Sequence, residues 1–257
     1  GGVTTEPPET YPPIGWFGPV RFAMRFLAML VWMIVCVILH YLWRLLGPES
    51  VWPRRFLYGI AWICNVRIVT EGVQVKEDVF YVANHLSWLD IPILGGATRS
   101  AFIAQDGIAK WPVVGWLAKL NNTVFVSRAD RIGVQRQVEQ VRTALAEHQP
   151  VTIFPEGTTT DGHSLLPFKS SMLSVLEPPP PGVLVQPVVL DYGKVAEWIG
   201  WIGEEDGLNN YKRVMARKGT FPVKLFFLEP FSPHEFRGRK AIAAEARVRI
   251  EAALRET

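Results

Sequence analysis

"VFYVANHLSWLD", Val79 to Asp90, opens as an apolar β-rich run and breaks at Asn84 and His85 into a polar turn that ends on a carboxylate. A strand that empties into a polar loop ahead of a helical stretch is one step of an alternating β/α pattern. The same step recurs outward in both directions. "VRIVT" at 66–70, "AFIAQ" at 101–105, "TVFVSR" at 123–128, "VTIFPEG" at 151–157, "VLVQPVVL" at 183–190 and "VKLFFLEP" at 223–230 all read as strands. Between and after them, Val134, Val138, Val141 and Leu145, then Ile242, Ala246, Ile250 and Leu254, recur at helical spacing among charged residues. This pattern predicts an α/β fold, with a largely parallel central sheet flanked by helices. Loops that carry chemistry then belong at strand carboxyl ends. "EPPPPG", Glu177 to Gly182, reads as a rigid surface connection, and no internal repeat interrupts the scheme.

The N-terminal quarter is different. Residues 1–19 hold five prolines and little apolar periodicity, so they read as a flexible leader. Then "FLAMLVWMIVCVILHYLW", Phe26 to Trp43, runs eighteen residues without a formal charge, bracketed by Arg21, Arg25 and Arg44. At about 1.5 Å per residue it reaches roughly 27 Å, only just the hydrocarbon thickness of a bilayer. Val51 to Cys64 comes next, mixing Arg54 and Arg55 with Trp52, Phe56, Leu57, Ile60 and Trp62, a composition suited to the headgroup region. Residues 20–64 therefore read as a membrane-embedded helical segment, either a true span or a helical hairpin dipping into one leaflet. A secretory signal fits poorly, because the run is long and aromatic-rich and no small-residue cleavage site comes after it. Residues 65–257 are left as the catalytic domain.

Composition narrows the partners. Of 257 residues, 49% are hydrophobic, and five of the ten tryptophans lie between Trp16 and Trp62, which again points that end at a lipid bilayer. A net charge of +3 from scattered Lys and Arg lacks the basic stripe of a nucleic-acid binder. Cys36 and Cys64 have no Cys or His at ligand spacing, so they read as packing residues, and no metal site is expected.

Within "NHLSWLD", Asp90 stands five residues after His85 and can turn back to accept one ring N–H, leaving the other ring nitrogen as a base for a hydroxyl. The spacing is also compatible with a plain capped turn. Ser87 lacks the G-x-S-x-G elbow that exposes a nucleophilic serine, and reads as a turn and helix-cap residue. Downstream, "FPEGTTTDG", Phe154 to Gly162, leaves a strand as a tight loop of N–H and O–H donors around Glu156, suited to an oxyanion or an anionic headgroup. Here too an ordinary strand-to-loop turn would suffice.

Taken together, "NHLSWLD", "TVFVSR", "FPEGTTT" and "VLVQPVV", in this order and spacing, resemble the four motif blocks of the glycerolipid acyltransferase family, over about residues 65–235. That family includes bacterial lysophosphatidate and lyso-ornithine-lipid acyltransferases. The resemblance implies that His85 is the general base and Asp90 its orienting carboxylate, with Asn84, Ser87, Phe154 and Pro155 as supporting motif residues. It implies acceptor and headgroup binding by Arg128, Glu156, Gly157 and Thr158, with Thr159 and Lys169 beside them as further substrate-binding candidates, and a donor-related or shaping role for Pro187. Thr159 stands where many lysophosphatidate acyltransferases carry Arg, which leaves a phosphate to Arg128 and Lys169 and draws the chain toward the lyso-ornithine and aminolipid branch. Asn121 and Asn122 stand where the second block often begins with Gly.

The resemblance further implies direct transfer from an acyl thioester to the hydroxyl of a lysolipid, with backbone N–H groups near Gly157 receiving the oxyanion. The co-substrate would be acyl-CoA or acyl carrier protein, with no bound cofactor. A bacterial inner-membrane location, with the site facing the cytoplasm, is expected from where such thioesters occur. The alternatives are a serine thioesterase or lipase working through Ser87, a lipid-to-lipid transacylase, and a silent membrane-binding protein. His148, His163 and His234 read as exposed. Trp198, Ile199, Trp201 and Ile202 read as an interfacial lip for the lysolipid, or equally as a satellite core.

Overall fold

The computed structural model describes residues 11, 13–105, 112–126, 131–157, 159–160, 165–202 and 205–257, with the side chains of 104–105, 124–126 and 131–137 left out. All seven expected strands form: β1 (Val66–Gly72), β2 (Val79–Ala83), β3 (Ala101–Gln105), β4 (Val124–Val126), β5 (Val151–Ile153), β6 (Leu184–Asp191) and β7 (Phe221–Phe227). The helices are α1 (Gly18–Arg44), α2 (Trp52–Ile63), α3 (Asp90–Thr98), α4 (Pro112–Leu120), α5 (Arg131–Ala146), α6 (Ala196–Ile199), α7 (Gly207–Ala216) and α8 (Gly238–Glu256).

The strands make one sheet in the order β1-β7-β6-β2-β5-β3-β4. β6, β2, β5, β3 and β4 are mutually parallel, as the β/α alternation predicts. β7 pairs antiparallel with β6 and carries β1 parallel beside it, so this edge runs against the rest. As a result the starts of β1 and β7 lie at the same end of the sheet as the carboxyl ends of β2 and β6. Pro187 sits inside β6, where it offers no N–H; the ladder to β7 begins at the next residue, Val188, and the Pro187 carbonyl accepts the Leu228 N–H at 3.0 Å.

Side chains alternate across β2, and the core alternates with them. Val79, Tyr81 and Ala83 face a layer shared with α2, α3 and α7, while Phe80 and Val82 face one shared with α5 and α8. α2 packs into the first layer, although its composition reads as a headgroup-level helix: Ala61 is fully buried, and Arg54 donates to the Gly96 and Ala97 carbonyls that end α3. The approach is close enough that a Cβ at Gly96 would stand 2.7 Å from the Tyr58 Cα.

α1 starts at Gly18, two residues inside the expected leader, most of which lies outside the described residues. Its 27 residues bury only 6% of their most apolar window. Contacts with the rest of the protein nevertheless recur along it. Arg21 and Phe22 meet α7, Trp32 donates to the Phe56 carbonyl of α2, and Tyr41 stacks on Trp116 of α4.

Candidate active site

The turn after β2 is fixed from several sides. The Asn84 side chain bonds both backbone groups of Leu190, donating to its carbonyl at 3.1 Å and accepting its N–H at 2.8 Å, which ties the end of β2 to the end of β6. Asp90, the first residue of α3, is fully buried and takes four donors. Its Oδ2 accepts from His85 Nδ1 at 2.7 Å and from the Leu86 and Ser87 N–H groups at 2.7 and 3.0 Å. Its Oδ1 accepts from the Tyr192 hydroxyl. A buried carboxylate with this many donors leaves neither of its oxygens unsatisfied.

His85 is held through every group but one. Phe154 stacks on its ring with centroids 4.2 Å apart, the Thr160 N–H donates to its carbonyl at 3.0 Å, and its own N–H donates to Glu156 Oε1 at 3.0 Å. Among the described residues Nε2 has no partner, and the side chain is 18% exposed. With Nδ1–H donated to Asp90, Nε2 presents its lone pair outward, the arrangement of a general base.

The second loop points inward. Glu156 is 1% exposed; its Oε2 accepts the Leu166 N–H at 2.8 Å while Oε1 holds the His85 backbone. Burial pushes its carboxyl up to about 7, against the lowering effect of those two N–H groups. Gly157, with φ of +73°, donates its N–H to the Phe154 carbonyl at 3.2 Å, so that N–H is engaged within the turn rather than free for an oxyanion. The Thr159 hydroxyl donates to the Trp201 carbonyl. Pro155 accepts the N–H of Lys169 at 2.8 Å, and the Lys169 side chain is half-buried with no ion pair among the described residues. Pro187 is buried in the sheet. Arg128, Thr158 and His163 lie outside the described residues.

Ser87 behaves as a turn residue. It is fully buried, its hydroxyl accepts the Leu89 N–H at 3.1 Å and meets the Tyr192 phenol, and no exposed nucleophile results. The Trp198–Ile202 cluster is core more than lip: Ile199 and Ile202 are buried, and both tryptophans are half-buried. The Trp201 N–H donates to the Leu86 carbonyl at 3.0 Å, so this segment buttresses the His85 turn. Arg213, paired with the half-buried Glu205 at 2.8 Å, holds the segment's Trp198 carbonyl. His148 and His234 are exposed, His148 lying 3.5 Å from Asp78.

Tyr192 joins this hydrogen-bonded centre although the sequence pattern does not single it out. It is 3% exposed, and burial together with the Asp90 charge pushes its phenol well above the ordinary value, so it stays a donor. Its position one residue beyond the carboxyl end of β6 is the available signal, since loops at that end of an open sheet carry the site.

An apolar cavity of about 300 Å³ lies beside this centre, lined by Trp88 and Ile91 of the catalytic turn and α3, Phe102 of β3, Phe56 and Ile60 of α2, and Leu117 of α4. Phe102 stacks on Phe154, which stacks on His85, so two rings link the cavity wall to the imidazole.

Known proteins share both this sequence and this fold. The Acyltransferase family model matches residues 65–191. The chain is 30% identical over 263 residues to a lyso-ornithine lipid O-acyltransferase of Rhodobacter capsulatus, covering 95% of this chain and 94% of that protein. It is 35% identical over 192 residues to the protein of that name in Pseudomonas aeruginosa, covering 72% and 70%. A 1-acyl-sn-glycerol-3-phosphate acyltransferase of Neisseria meningitidis is 39% identical, over 37% of each chain. The crystal structure of the 1-acyl-sn-glycerophosphate acyltransferase PlsC from Thermotoga maritima shares the fold, with a TM-score of 0.63 at 23% identity over 92% of this chain and 97% of that one.

Proposed function

Because the chain belongs to the glycerolipid acyltransferase family and is an O-acyltransferase, we propose that it moves a fatty-acyl group from an acyl thioester, acyl-CoA or acyl carrier protein, onto the free hydroxyl of a lysolipid. The observation that carries this reading is the His85–Asp90 contact at 2.7 Å with Nε2 left without a partner among the described residues. His85 Nε2 takes the proton of the acceptor hydroxyl as its oxygen attacks the thioester carbonyl. The tetrahedral intermediate then collapses, the C–S bond breaks, and the imidazolium returns the proton to the departing thiolate. Asp90 holds the tautomer and steadies the imidazolium, and Tyr192 holds Asp90. Every atom of this step comes from the two substrates and one imidazole.

A lyso-ornithine type of aminolipid is the favoured acceptor. The relatives similar over nearly the whole chain carry that name, whereas the lysophosphatidate acyltransferase match covers 37% of it. Thr159 adds support, since a hydroxyl spent on the Trp201 carbonyl is no phosphate clamp. Arg128, Glu156, Gly157, Thr158 and Lys169 keep the acceptor-binding role implied by the resemblance as part of this proposal, with Glu156 contributing by holding the loop. The apolar cavity of about 300 Å³ suits an acyl chain.

The protein would take its acceptor from the inner membrane at the cytoplasmic face, with residues 20–64 as the anchor of the domain at 65–257. Contacts of α1 with α7 at Arg21 and with α4 at Tyr41 support a helix lying half-inserted beside the domain. A span would carry one of these ends roughly 30 Å to the far side of the bilayer.

The test is to supply purified protein with labelled acyl-CoA or acyl carrier protein and a panel of lysolipids, and to identify the product by mass spectrometry. Acylation of lyso-ornithine lipid in preference to lysophosphatidate is expected. His85→Ala should lower turnover by about 10²–10⁴-fold with membrane association intact. Retained turnover in that variant would remove His85 as the base, and a phosphatidate product alone would overturn the acceptor.

A further inference from the structure

At the opposite end of α7 from the Trp201 segment, three guanidinium groups gather. Arg21 Nε donates to the Ala216 carbonyl at 2.8 Å, and Arg25 Nη1 to the Met215 carbonyl at 2.6 Å, so two arginines one helical turn apart on α1 cap the last turn of α7. Arg217, the next residue, lays its guanidinium over the Phe221 ring with its carbon 4.8 Å from the centroid. Peptide carbonyls satisfy hydrogen-bond donors without cancelling their charge. None of the three arginines forms an ion pair with a carboxylate among the described residues. Arg217 Nη1 is buried and has no hydrogen-bond partner among them. Neighbouring arginines that share a half-buried site without a counter-ion repel one another, and burial together with Arg25 lowers the Arg217 pKa. A buried guanidinium nitrogen left unpaired is costly, and an anion is the group that relieves both costs.

The surroundings say which anion. This end of α1 bears Trp16 at 97% exposure, with Phe17, Val20 and Met24 also exposed. Aromatic and apolar side chains standing free beside arginines are the composition of a bilayer's headgroup level. Toward the protein interior, Phe221 stacks on Tyr192 with centroids 6.4 Å apart, and Tyr192 reaches Asp90. The arginines thus stand behind the His85–Asp90 pair, separated from it by two buried rings.

We propose that Arg21, Arg25 and Arg217 form a binding site for the phosphate of an anionic bilayer phospholipid, seated between α1 and the C-terminal end of α7 and distinct from the site that deprotonates the acceptor. The lipid chains lie along the exposed apolar face of α1, while the phosphate bridges α1 to α7. Placement of α1 in a bilayer rests on the proposed function; binding of the phosphate can be measured without turnover, so the two fail separately.

The experiment is thermal unfolding of the full chain in non-ionic detergent. It is run alone and with dihexanoyl-phosphatidylglycerol, dihexanoyl-phosphatidylcholine, inorganic phosphate or coenzyme A. Phosphatidylglycerol at about 100 times its Kd should raise Tm by roughly 5 °C, with phosphatidylcholine and inorganic phosphate giving a small fraction of that shift and any coenzyme A shift unchanged in Arg217→Gln. Arg217→Gln should lose most of the shift, and Arg217→Lys, which keeps the charge without the fork, should keep part of it. If Arg217→Gln does not fold, the partial shift of Arg217→Lys carries the comparison. An undiminished shift in the variants, the absence of any shift in the parent protein, or an equal shift with phosphatidylcholine overturns the proposal. A full shift with inorganic phosphate, or a coenzyme A shift that Arg217→Gln abolishes, assigns the site to a soluble anion and overturns the lipid.

Discussion

The turn at 84–90 and the loop at 154–160 leave neighbouring parallel strands at the same end of the sheet, yet they use their polar groups in opposite directions. In the turn, four donors converge on Asp90, and the His85 ring so fixed keeps one nitrogen for chemistry. In the loop, the carboxylate of Glu156 turns inward to hold the backbone of His85 and Leu166, and Thr160 bonds the His85 carbonyl. Two motifs that read in sequence as separate substrate-facing patches are one assembly, in which the loop holds the turn. The position of the His85 ring therefore depends on Glu156 and Thr160, which bond its backbone rather than its ring.

Removing the Glu156 acceptor separates these roles with the largest effect. Glu156→Leu leaves the His85 and Leu166 N–H groups buried without acceptors, at about 1–3 kcal/mol each. A lowered Tm and a kcat reduced on the order of 10²-fold are expected, with the acceptor KM nearly unchanged. A raised KM at normal Tm would instead place Glu156 on the headgroup. The pH dependence has a definite sign. Its folded carboxyl is pushed to about 7, above the ordinary 4.5, so the folded state holds its proton more tightly than the unfolded one between those values. Its contribution to stability is therefore full below about 4.5 and is lost as pH rises through about 7. Tm measured from pH 4.5 to 8 should carry that downward component in the parent protein and lack it in Glu156→Leu.

On the turn side, Tyr192→Phe removes the donor to Asp90 Oδ1 and nothing that faces substrate. A hydrogen bond to a buried charge is worth about 1.5–3 kcal/mol, so kcat should fall roughly tenfold at unchanged KM for either substrate. A change in acceptor KM alone would show that Tyr192 works on the pocket rather than on the base.

Local pattern carries much of this in the sequence. The seven strands are short apolar runs bounded by turn residues, and the spacing from His85 to Asp90 already allows the carboxylate to swing back. α3 is announced only by the turn and cap residues ahead of it, because "DIPILGGAT" is buried on nearly every side and so shows no amphipathic period. Strand direction is equally silent in periodicity, which is why the antiparallel β1/β7 edge emerges only from pairing. Contacts between distant residues are hidden for the same reason: Tyr192 reaches Asp90 across 102 positions, and Glu156 reaches the His85 N–H across 71. An exposed-donor loop and an inward-turned one have the same composition. Which way Glu156 faces is decided by the N–H groups that His85 and Leu166 bring to it.

Thr159 gives the smallest effect and the finest division between loop and turn. Its hydroxyl donates to the Trp201 carbonyl, and the Trp201 N–H donates to the Leu86 carbonyl, so a single relay runs from loop to buttress to turn. Thr159→Val keeps the shape and removes the donor, at about 0.5–1.5 kcal/mol, or a Tm lower by roughly 2–4 °C. If the hydroxyl serves the relay, kcat falls a few-fold at most and the KM for lyso-ornithine lipid stays constant. If it faces the acceptor, KM rises while Tm holds. The first pattern would mean that the position where many lysophosphatidate acyltransferases carry Arg has been turned in this chain from a contact with the lipid into a strut for the base.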